Sequence, residues 1–404
     1  MKALRKILDN IKPSVEKGGK FHFLYSGFDA VETLFFVPNT VTKKGTHIRD
    51  SIDLKRTMFL VVIALFPALL FGMWNTGFQH FLAIGEDSTL MNNFVFGLLA
   101  MLPIIIVSYV VGLTLEIIFA QFRGHEVNEG FFVSGMLIPL VLPVDTPLWM
   151  VAVSVTFAVI IGKEVFGGTG MNIWNPALLA RAFLFFAYPS SMSGEKIWTA
   201  GVTDGLATVD GFTGATPLAQ MAAEAGDATG TIVNAVGEKL SQLDLFIGTY
   251  AGSLGETSTL AILIGGIILL FTGIASLRVM LSVFIGGYFM GFLFNILGPE
   301  TNVYMQMDPL NHLLIGGFAF GAVFMATDPV SASQTKNGKI IYGFLIGIIA
   351  VLIRVVNPAY PEGMMLSILF LNTFAPLIDH YIVQSNIKKR LKRVAVVVEG
   401  GSHE

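Results

Sequence analysis

Residues 94–120 read FVFGLLAMLPIIIVSYVVGLTLEIIFA, and Glu116 is the one charged residue among these 27. A helix needs about 20 predominantly apolar residues to cross a bilayer. This run is longer than that, and it is also longer than a typical buried helix of a soluble domain. The stretch therefore predicts a transmembrane helix.

The composition of the whole chain agrees with this prediction. Hydrophobic residues make up 53% of the 404 residues and charged residues 13%, whereas soluble domains contain about 25% charged residues. A soluble globular protein is therefore excluded, and the apolar content excludes a disordered one. The net charge of −3 gives no reason to expect a nucleic acid partner. Because the chain has no cysteine, disulfides and cysteine-ligated iron–sulfur clusters are also excluded.

Ten apolar stretches can be counted along the chain when each is compared with the thickness of a bilayer. The third and fifth are short, and short segments bounded by Pro or Gly often line cavities as broken helices. Misplaced boundaries are the alternative explanation. The ten stretches are Thr57–Trp74, Phe94–Ala120, Gly130–Leu142, Leu148–Gly162, Ala177–Tyr188, Leu260–Ser276, Val279–Leu297, Leu310–Thr327, Ile340–Val356 and Gly363–Val383.

The distribution of Lys and Arg predicts the orientation of these spans. Residues 1–56 hold 11 of the 25 basic residues and residues 384–404 hold five. Both termini are therefore expected in the cytoplasm, which requires an even number of spans. No Lys or Arg occurs in three predicted outer loops, 79–92, 143–147 and 298–309.

The chain also resembles itself at two places. Gly130-Phe131-Phe132-Val133-Ser134-Gly135 matches Gly317-Phe318-Ala319-Phe320-Gly321, and Asn175-Pro176-Ala177 matches Asn357-Pro358-Ala359. Two halves with five crossings each must insert in opposite senses, which makes an inverted repeat with binding sites at the repeat interface.

The expected fold is therefore an all-α integral membrane protein with about ten transmembrane helices, arranged as two inverted five-helix repeats with some short or broken helices. The expected segments are a cytoplasmic arm (1–56), a first repeat (57–188), an outer loop (189–256), a second repeat (257–383) and a basic cytoplasmic tail (384–404).

The long outer loop contains the most informative segment, Asp210-Gly211-Phe212-Thr213-Gly214-Ala215-Thr216-Pro217-Leu218. This segment is a turn of small residues that presents two hydroxyls beside an Asp. The alternative to a functional role is an ordinary Gly-rich loop. The pattern Asp-x-x-Ser/Thr-Gly-Ala-Thr resembles the acceptor motif for covalent flavin attachment. In that motif FMN is joined through its phosphate to the last Thr, which is Thr216 here. Asp210, Thr213, Gly214 and Ala215 are the other positions of the motif.

Further segments resemble one family, that of the B subunit of the bacterial sodium-translocating NADH:quinone oxidoreductase. The resemblance covers roughly residues 1–393. The D subunit of the related Rnf complex shares the flavin motif and the Asn-Pro-Ala segments but matches the N-terminal arm less well. The segments that carry the resemblance are Ser51–Arg56, His125–Phe132, Lys163–Ala177, Ala326–Ser333 and Arg354–Met365.

The resemblance implies a second, noncovalent flavin, riboflavin, and we place part of its site in residues 167–176. Asn172 and Asn175 can donate and accept hydrogen bonds, as the pyrimidine edge of a flavin requires. The alternative is that these two residues cap or break the helix that follows.

The resemblance also implies a ubiquinone site at Gly112 and Glu116, which share one helix face at spacing i, i+4. A carboxylate within a membrane span is a functional hypothesis by default, and a carboxylate that only reaches the interface is the alternative. Family members often have a second Gly where Leu113 stands here.

Asp328 and Asp379 match acidic residues that the family associates with sodium uptake and translocation. Their carboxylates suit Na⁺ because hard cations prefer oxygen ligands. Asp328 precedes a Pro, however, and such an Asp commonly begins a turn. Phe318, Phe320 and Phe324 could narrow a passage, although packing is the simpler interpretation in a chain with 34 Phe.

We therefore expect the membrane subunit of a respiratory sodium pump in a bacterial inner membrane. Its expected partners are flavoprotein, iron–sulfur and membrane subunits, lipid and Na⁺, with the NADH site on another subunit. The alternatives are the D subunit of an Rnf-type complex and a flavin-free channel or transporter built on an inverted repeat.

Overall fold

The computed structural model is an all-α fold, with helices joined by turns and loops and no β-strand in the part of the chain that it describes. The described residues are 2–16, 19, 21, 25–36, 42–48, 52–124, 127, 130–193, 197–223, 232–357 and 362–400. Several residues that carried the family resemblance lie outside this part of the chain, namely Ser51, His125, Glu126, Asn128, Glu129 and 358–361.

Fifteen α-helices follow one another in these residues, with short 3₁₀ turns at Glu164–Phe166 and Pro189–Ser191 and a π turn at Gly321–Met325. They are α1 (Lys2–Val15), α2 (Tyr25–Phe35), α3 (Leu54–Ile84), α4 (Leu90–Arg123), α5 (Gly130–Leu140), α6 (Leu148–Ile160), α7 (Pro176–Ala187), α8 (Pro217–Ala223), α9 (Gln242–Ile247), α10 (Thr259–Phe271), α11 (Leu277–Leu297), α12 (Pro309–Leu314), α13 (Phe318–Phe320), α14 (Lys336–Val356) and α15 (Met364–Gly400).

All ten predicted spans coincide with helical segments, so the all-α membrane fold is confirmed. Six helical segments among the described residues are long and apolar enough to cross a bilayer, and α6 reaches that length only together with the 3₁₀ turn that follows it, as Leu148–Phe166. Helices α5, α7 and α10 are shorter apolar helices of 11, 12 and 13 residues. The short third and fifth spans were predicted, but the short sixth span was not. The first span is longer than predicted and ends at Ile84 instead of Trp74. The last continues from Val383 to Gly400.

The eighth predicted span, 310–327, is not a continuous helix. Helix α12 ends at Leu314, and the chain then passes through Gly316, whose φ of 63° lies in the left-handed region. Helix α13 and the π turn complete the segment. A broken backbone at membrane depth is tolerated where it is buried in protein or lines a cavity.

Local sequence signals set the ends of the first two spans. Asp53 accepts a hydrogen bond from the backbone N–H of Arg56 at 3.0 Å and caps α3. Thr89 caps α4 in the same way through the N–H of Asn92. The two helices then pack closely at Gly97, where a Cβ would lie 1.7 Å from the carbonyl oxygen of Met73. Small residues at such contacts let membrane helices approach each other.

The segments predicted to lie outside meet at one end of the bundle, which we call the loop end. The N–H of Val209 in the long loop donates to the carbonyl of Ala83 at 2.9 Å. Asp145 accepts from Gly201 N–H at 3.0 Å, and Gln242 donates to Asp308 at 2.8 Å. The outer loops 79–92, 143–147 and 298–309 therefore share this end with the loop 189–256.

The segments predicted to lie inside meet at the opposite end, which we call the arm end. A Cβ on Gly27 of α2 would lie 3.6 Å from the Ile117 side chain of α4. Arg123 at the end of α4 forms a salt bridge with Glu164 at 3.0 Å. This grouping agrees with the predicted topology. That the arm end faces the cytoplasm stays a prediction.

The first pair of matched sequence segments lies at opposite ends of the bundle. Gly130 lines a cavity at the arm end with Thr57, and Gly317 lines a cavity at the loop end with Thr216. Of the second pair, Asn175 also lines the arm-end cavity, whereas Pro358 and Ala359 lie outside the described residues. An inverted repeat requires this exchange of ends between its two halves.

Candidate functional site

Two cavities open at the two ends of the bundle. The loop-end cavity measures about 640 Å³ and the arm-end cavity about 820 Å³. The segment 316–328 borders both of them, because Gly316 and Gly317 line the first and Phe324 and Asp328 line the second.

Thr216 lines the loop-end cavity at the start of α8. Its hydroxyl oxygen accepts a hydrogen bond from the N–H of Ala219 at 3.2 Å, and its side chain is half-buried. Thr213 does not line the cavity, and its hydroxyl accepts from the N–H of Ala215 at 3.4 Å. The structure thus places only one of the two motif hydroxyls at the cavity.

The rest of the motif forms the turn that leads to Thr216. Asp210 is exposed, Gly214 is buried and Ala215 is half-buried. The N–H of Thr213 donates to the carbonyl of Ala235 at 3.0 Å, which ties the turn to the segment 232–240.

Gln220 holds this turn in place, although nothing in the sequence marked it as a site residue. Its side-chain amide donates to the carbonyls of Ala215 at 3.0 Å and Val233 at 2.9 Å. Its oxygen accepts from the N–H of Val233 at 2.9 Å. One side chain therefore connects the flavin motif to the next segment of the loop by three hydrogen bonds.

A cluster of buried charges forms another wall of the loop-end cavity. The guanidinium of Arg181 contacts both carboxylate oxygens of Glu256, at 2.8 and 2.9 Å, and one oxygen of Glu362 at 2.5 Å. The side chains of Arg181 and Glu256 are each 5% exposed and that of Glu362 is 16% exposed. We call these three residues the charge triad.

The charge triad was not predicted from the sequence, although a signal was present. Arg181 interrupts the fifth apolar stretch, and a charge within a membrane span is a functional hypothesis. Its two partners lie 75 and 181 residues away along the chain, so no local pattern could connect them. Burial raises the pKa of the Glu362 carboxyl to about 7; Arg181 opposes this shift and Glu256 adds to it.

Arg354 packs next to the charge triad and binds the backbone of the residues that form this wall. It is fully buried and donates to the backbone carbonyls of Glu362 at 2.8 Å and Ile315 at 3.2 Å, and also to that of His312. Its guanidinium carbon lies 5.4 Å from the centre of the Phe318 ring. Arg354 therefore satisfies carbonyls that the break between α12 and α13 leaves without helical partners.

The arm-end cavity brings together Asn172, Asn175, Lys163 and Asp328. The side-chain oxygen of Asn175 accepts from Ala177 N–H at 2.9 Å and Leu178 N–H at 3.3 Å, so Asn175 caps α7. Asn172 donates to the carbonyl of Trp174 at 2.9 Å. The capping interpretation is confirmed for Asn175. Both residues nevertheless line the cavity, and their role toward riboflavin stays a prediction.

Glu116 and Lys163 form a buried ion pair beside this cavity. Their side chains are 3% and 6% exposed, so Glu116 does not reach the protein surface. Gly112 leaves room for an aromatic ring, because a Cβ there would lie 1.8 Å from Cζ of Phe131. Lys163 lines the cavity, whereas Gly112 and Glu116 do not. Their quinone role stays a prediction.

The two predicted sodium-path residues have different surroundings. Asp379 accepts hydrogen bonds from the Ser333 hydroxyl and the Gln334 N–H, both at 2.7 Å, and from the Thr335 N–H at 2.9 Å. It therefore anchors the loop before α14.

Asp328 begins a turn, as its position before Pro predicted. Its carboxylate accepts hydrogen bonds from the Val330 N–H at 3.2 Å and from the Ser331 hydroxyl at 2.7 Å. Phe318, Phe320 and Phe324 are all buried, which fits the packing interpretation.

Comparison with known proteins shows the family of the chain. A profile described as the NQR2, RnfD, RnfE family matches residues 41–388. A relative from Ectopseudomonas mendocina (strain ymp) is 51% identical over 96% of this chain and 99% of its own length. A relative from Chromohalobacter salexigens is 50% identical over 97% of each chain. A third, from Azotobacter vinelandii (strain DJ / ATCC BAA-1303), is 50% identical over 96% of this chain and 99% of its own. All three are named as the B subunit of a Na(+)-translocating NADH-quinone reductase. The chain therefore belongs to the NQR2, RnfD, RnfE family.

Proposed function

We propose that this chain is the membrane subunit of a Na⁺-translocating NADH:ubiquinone oxidoreductase that carries FMN on Thr216. It works in a multi-subunit complex of the bacterial inner membrane with both termini in the cytoplasm, and the NADH site is on a partner subunit. One observation carries the proposal. The single hydroxyl that the flavin motif designates lies at a cavity of about 640 Å³, in a chain that matches the sodium-pump relatives along nearly its whole length.

The lining of the loop-end cavity fits a flavin. Phe185, Trp198 and Tyr250 present aromatic surface that can pack on a flat ring. Arg181 and Ser253 offer polar groups for its edge. The phosphoester needs only the Thr216 hydroxyl and no Cys or His, and Gln220 fixes the turn that presents this hydroxyl.

The arm-end cavity fits the second, noncovalent flavin, riboflavin. Its lining combines apolar side chains such as Leu137 and Phe324 with the amides of Asn172 and Asn175. Few polar groups on an apolar wall are typical of cofactor sites. When bound, the two flavins supply the redox chemistry, while the protein positions them and sets their electrostatic surroundings.

Ubiquinone is assigned to the face of α4 that carries Gly112 and Glu116. The Glu116–Lys163 pair connects this face with the arm-end cavity, because Lys163 lines that cavity. Asp328 and Asp379 lie at the same end of the bundle and are assigned to the Na⁺ path. Asp328 can reach the ion from the cavity wall, and Asp379 holds the adjoining loop.

The test is fluorescence of the denatured subunit in a gel after purification from its native membrane with the flavin transferase present. The wild-type band should fluoresce, the Thr216→Ala band should not, and Thr213→Ser is the matched control that should keep the label. A covalent flavin on the Thr216→Ala subunit, detected by mass spectrometry, would contradict the attachment site. A wild-type subunit without flavin would favour the channel or transporter alternative.

A second measurement separates the sodium pump from the Rnf alternative. Purified complex in vesicles should reduce ubiquinone with NADH and accumulate Na⁺ in the same preparation. Uptake of protons instead of Na⁺, or copurification with Rnf subunits, would contradict the assignment.

A further inference from the structure

The charge triad joins the two halves of the protein at the wall of the loop-end cavity. Arg181 lies in α7 of the first repeat, Glu256 precedes α10, and Glu362 precedes α15 at the end of the second repeat. With all three side chains ionised, the triad carries a net charge of −1. Burying charges is expensive, and an apolar replacement of similar volume is often neutral or stabilising. Stability alone therefore gives little reason to place these charges here.

The other groups that face the triad come from neighbouring elements. The Arg181 guanidinium donates to the Ser253 hydroxyl at 3.3 Å, and Tyr250 lines the same cavity. Arg354, which donates to the backbone carbonyl of Glu362, adds one positive charge. Backbone also approaches closely. A Cβ on Gly317 would lie 2.5 Å from Glu256 Oε1 and 2.9 Å from Glu362 Oε1. Both carboxylates are thus packed against the break in the eighth segment.

We propose that the charge triad sets the reduction potential of the flavin held on Thr216. This inference rests on the proposed function. An electron added to the flavin ring introduces negative charge beside side chains that are only 5–16% exposed, and charges at such buried sites interact more strongly than in water. Arg181 stabilises that added charge, and Glu256 and Glu362 destabilise it. The two carboxylates therefore hold the potential lower than it would be beside Arg181 alone.

The proposal predicts shifts of opposite sign for substitutions within one triad. Glu256→Gln removes a negative charge but keeps the size of the side chain, so the potential should rise. Glu362→Gln should raise the potential in the same way at a pH well above 7, where the Glu362 carboxyl is ionised. Arg181→Gln removes the positive charge, so the potential should fall. Arg181→Lys keeps the charge and should shift the potential less than Arg181→Gln. A purely structural triad predicts lower thermal stability in every variant and no ordered shift in potential.

The experiment is a spectroelectrochemical titration of the complete purified complex. The covalent flavin is isolated by subtracting the titration of the Thr216→Ala complex. Glu256→Gln should change the ratio of oxidised to reduced flavin at a given potential at least tenfold, which is an upward shift of about 59 mV for a one-electron step. The matched control is Glu238→Gln, because Glu238 is an exposed acid of the same outer loop that bonds to Asn234.

The outcomes separate this inference from the proposed function. If every triad variant carries the covalent flavin and titrates at the wild-type potential, the inference is overturned and the flavin assignment stands. Shifts of the same sign in the Glu and Arg variants overturn it as well. If Arg181→Gln fails to assemble, the two Glu→Gln variants and Arg181→Lys decide the question. A wild-type subunit without covalent flavin overturns both.

Discussion

Lys163→Met should destabilise the protein strongly, because it leaves Glu116 as an unpaired buried carboxylate. The Lys163 and Glu116 side chains are 6% and 3% exposed, so water cannot solvate the Glu116 carboxylate once Lys163 is replaced. Unit charges about 4 Å apart interact by roughly 4 kcal/mol at an effective dielectric constant of about 20. Breaking a buried pair by removing one partner costs about 3–5 kcal/mol. We therefore expect a clear fall in the melting temperature of the purified complex.

The double variant Lys163→Met with Glu116→Leu makes the test specific. Replacing both members of a buried pair with apolar groups is often neutral or stabilising, so the double variant should melt close to the wild type. Lys336→Met is the matched control, because Lys336 is exposed at the same end of the bundle. A single variant that melts like the wild type, or a double variant that melts as low as the single one, would refute the reasoning.

The same variants test the quinone assignment. If Glu116 contacts ubiquinone, the double variant should recover stability without recovering quinone reduction. Glu116→Gln should raise the KM for ubiquinone while both flavins stay bound. Quinone kinetics that match the wild type over a range of quinone concentrations would show that Glu116 only pairs with Lys163 and does not contact ubiquinone.

Three further predictions follow from other contacts. Gln220→Ala removes the three hydrogen bonds that hold the flavin motif. In-gel fluorescence should therefore fall at an unchanged amount of protein. Full labelling would show that the turn keeps its conformation without Gln220. Gly97→Val should prevent assembly, since a Cβ there would lie 1.7 Å from the Met73 carbonyl oxygen; normal yields in the membrane would contradict the close packing. Reporter fusions after residue 146 should report the outside and fusions after residue 395 the cytoplasm, and any other combination contradicts the predicted orientation.

Hydropathy and helix caps made the transmembrane architecture predictable from the sequence. Each span is a contiguous apolar run, and the cap at Asn175 depends on residues only two and three positions away. The choice of Thr216 over Thr213 as the flavin acceptor also comes from a local motif, and it stays a prediction. Such features need only neighbouring residues, which is why sequence reasoning reaches them.

The features that sequence reasoning missed depend on distant parts of the chain. Glu116 and Lys163 are 47 residues apart, and Arg181 and Glu256 are 75 apart. The break after α12 has a local glycine signal at Gly316, but the carbonyls that it exposes are satisfied by Arg354, 39 residues beyond Ile315. Only the folded chain brings these groups together.

The broken eighth segment also fixes the spacing of the two cavities. Gly317 lines one cavity and Phe324 lines the other, seven positions further along the chain. At about 1.5 Å of rise per α-helical residue, that is a separation of at most about 10 Å, because part of the segment is the more tightly stacked π turn. Each residue inserted or deleted between these positions would change the separation by about 1.5 Å and would rotate everything beyond it by about 100°. We therefore expect proteins of this architecture to vary the side chains of this segment far more readily than its length.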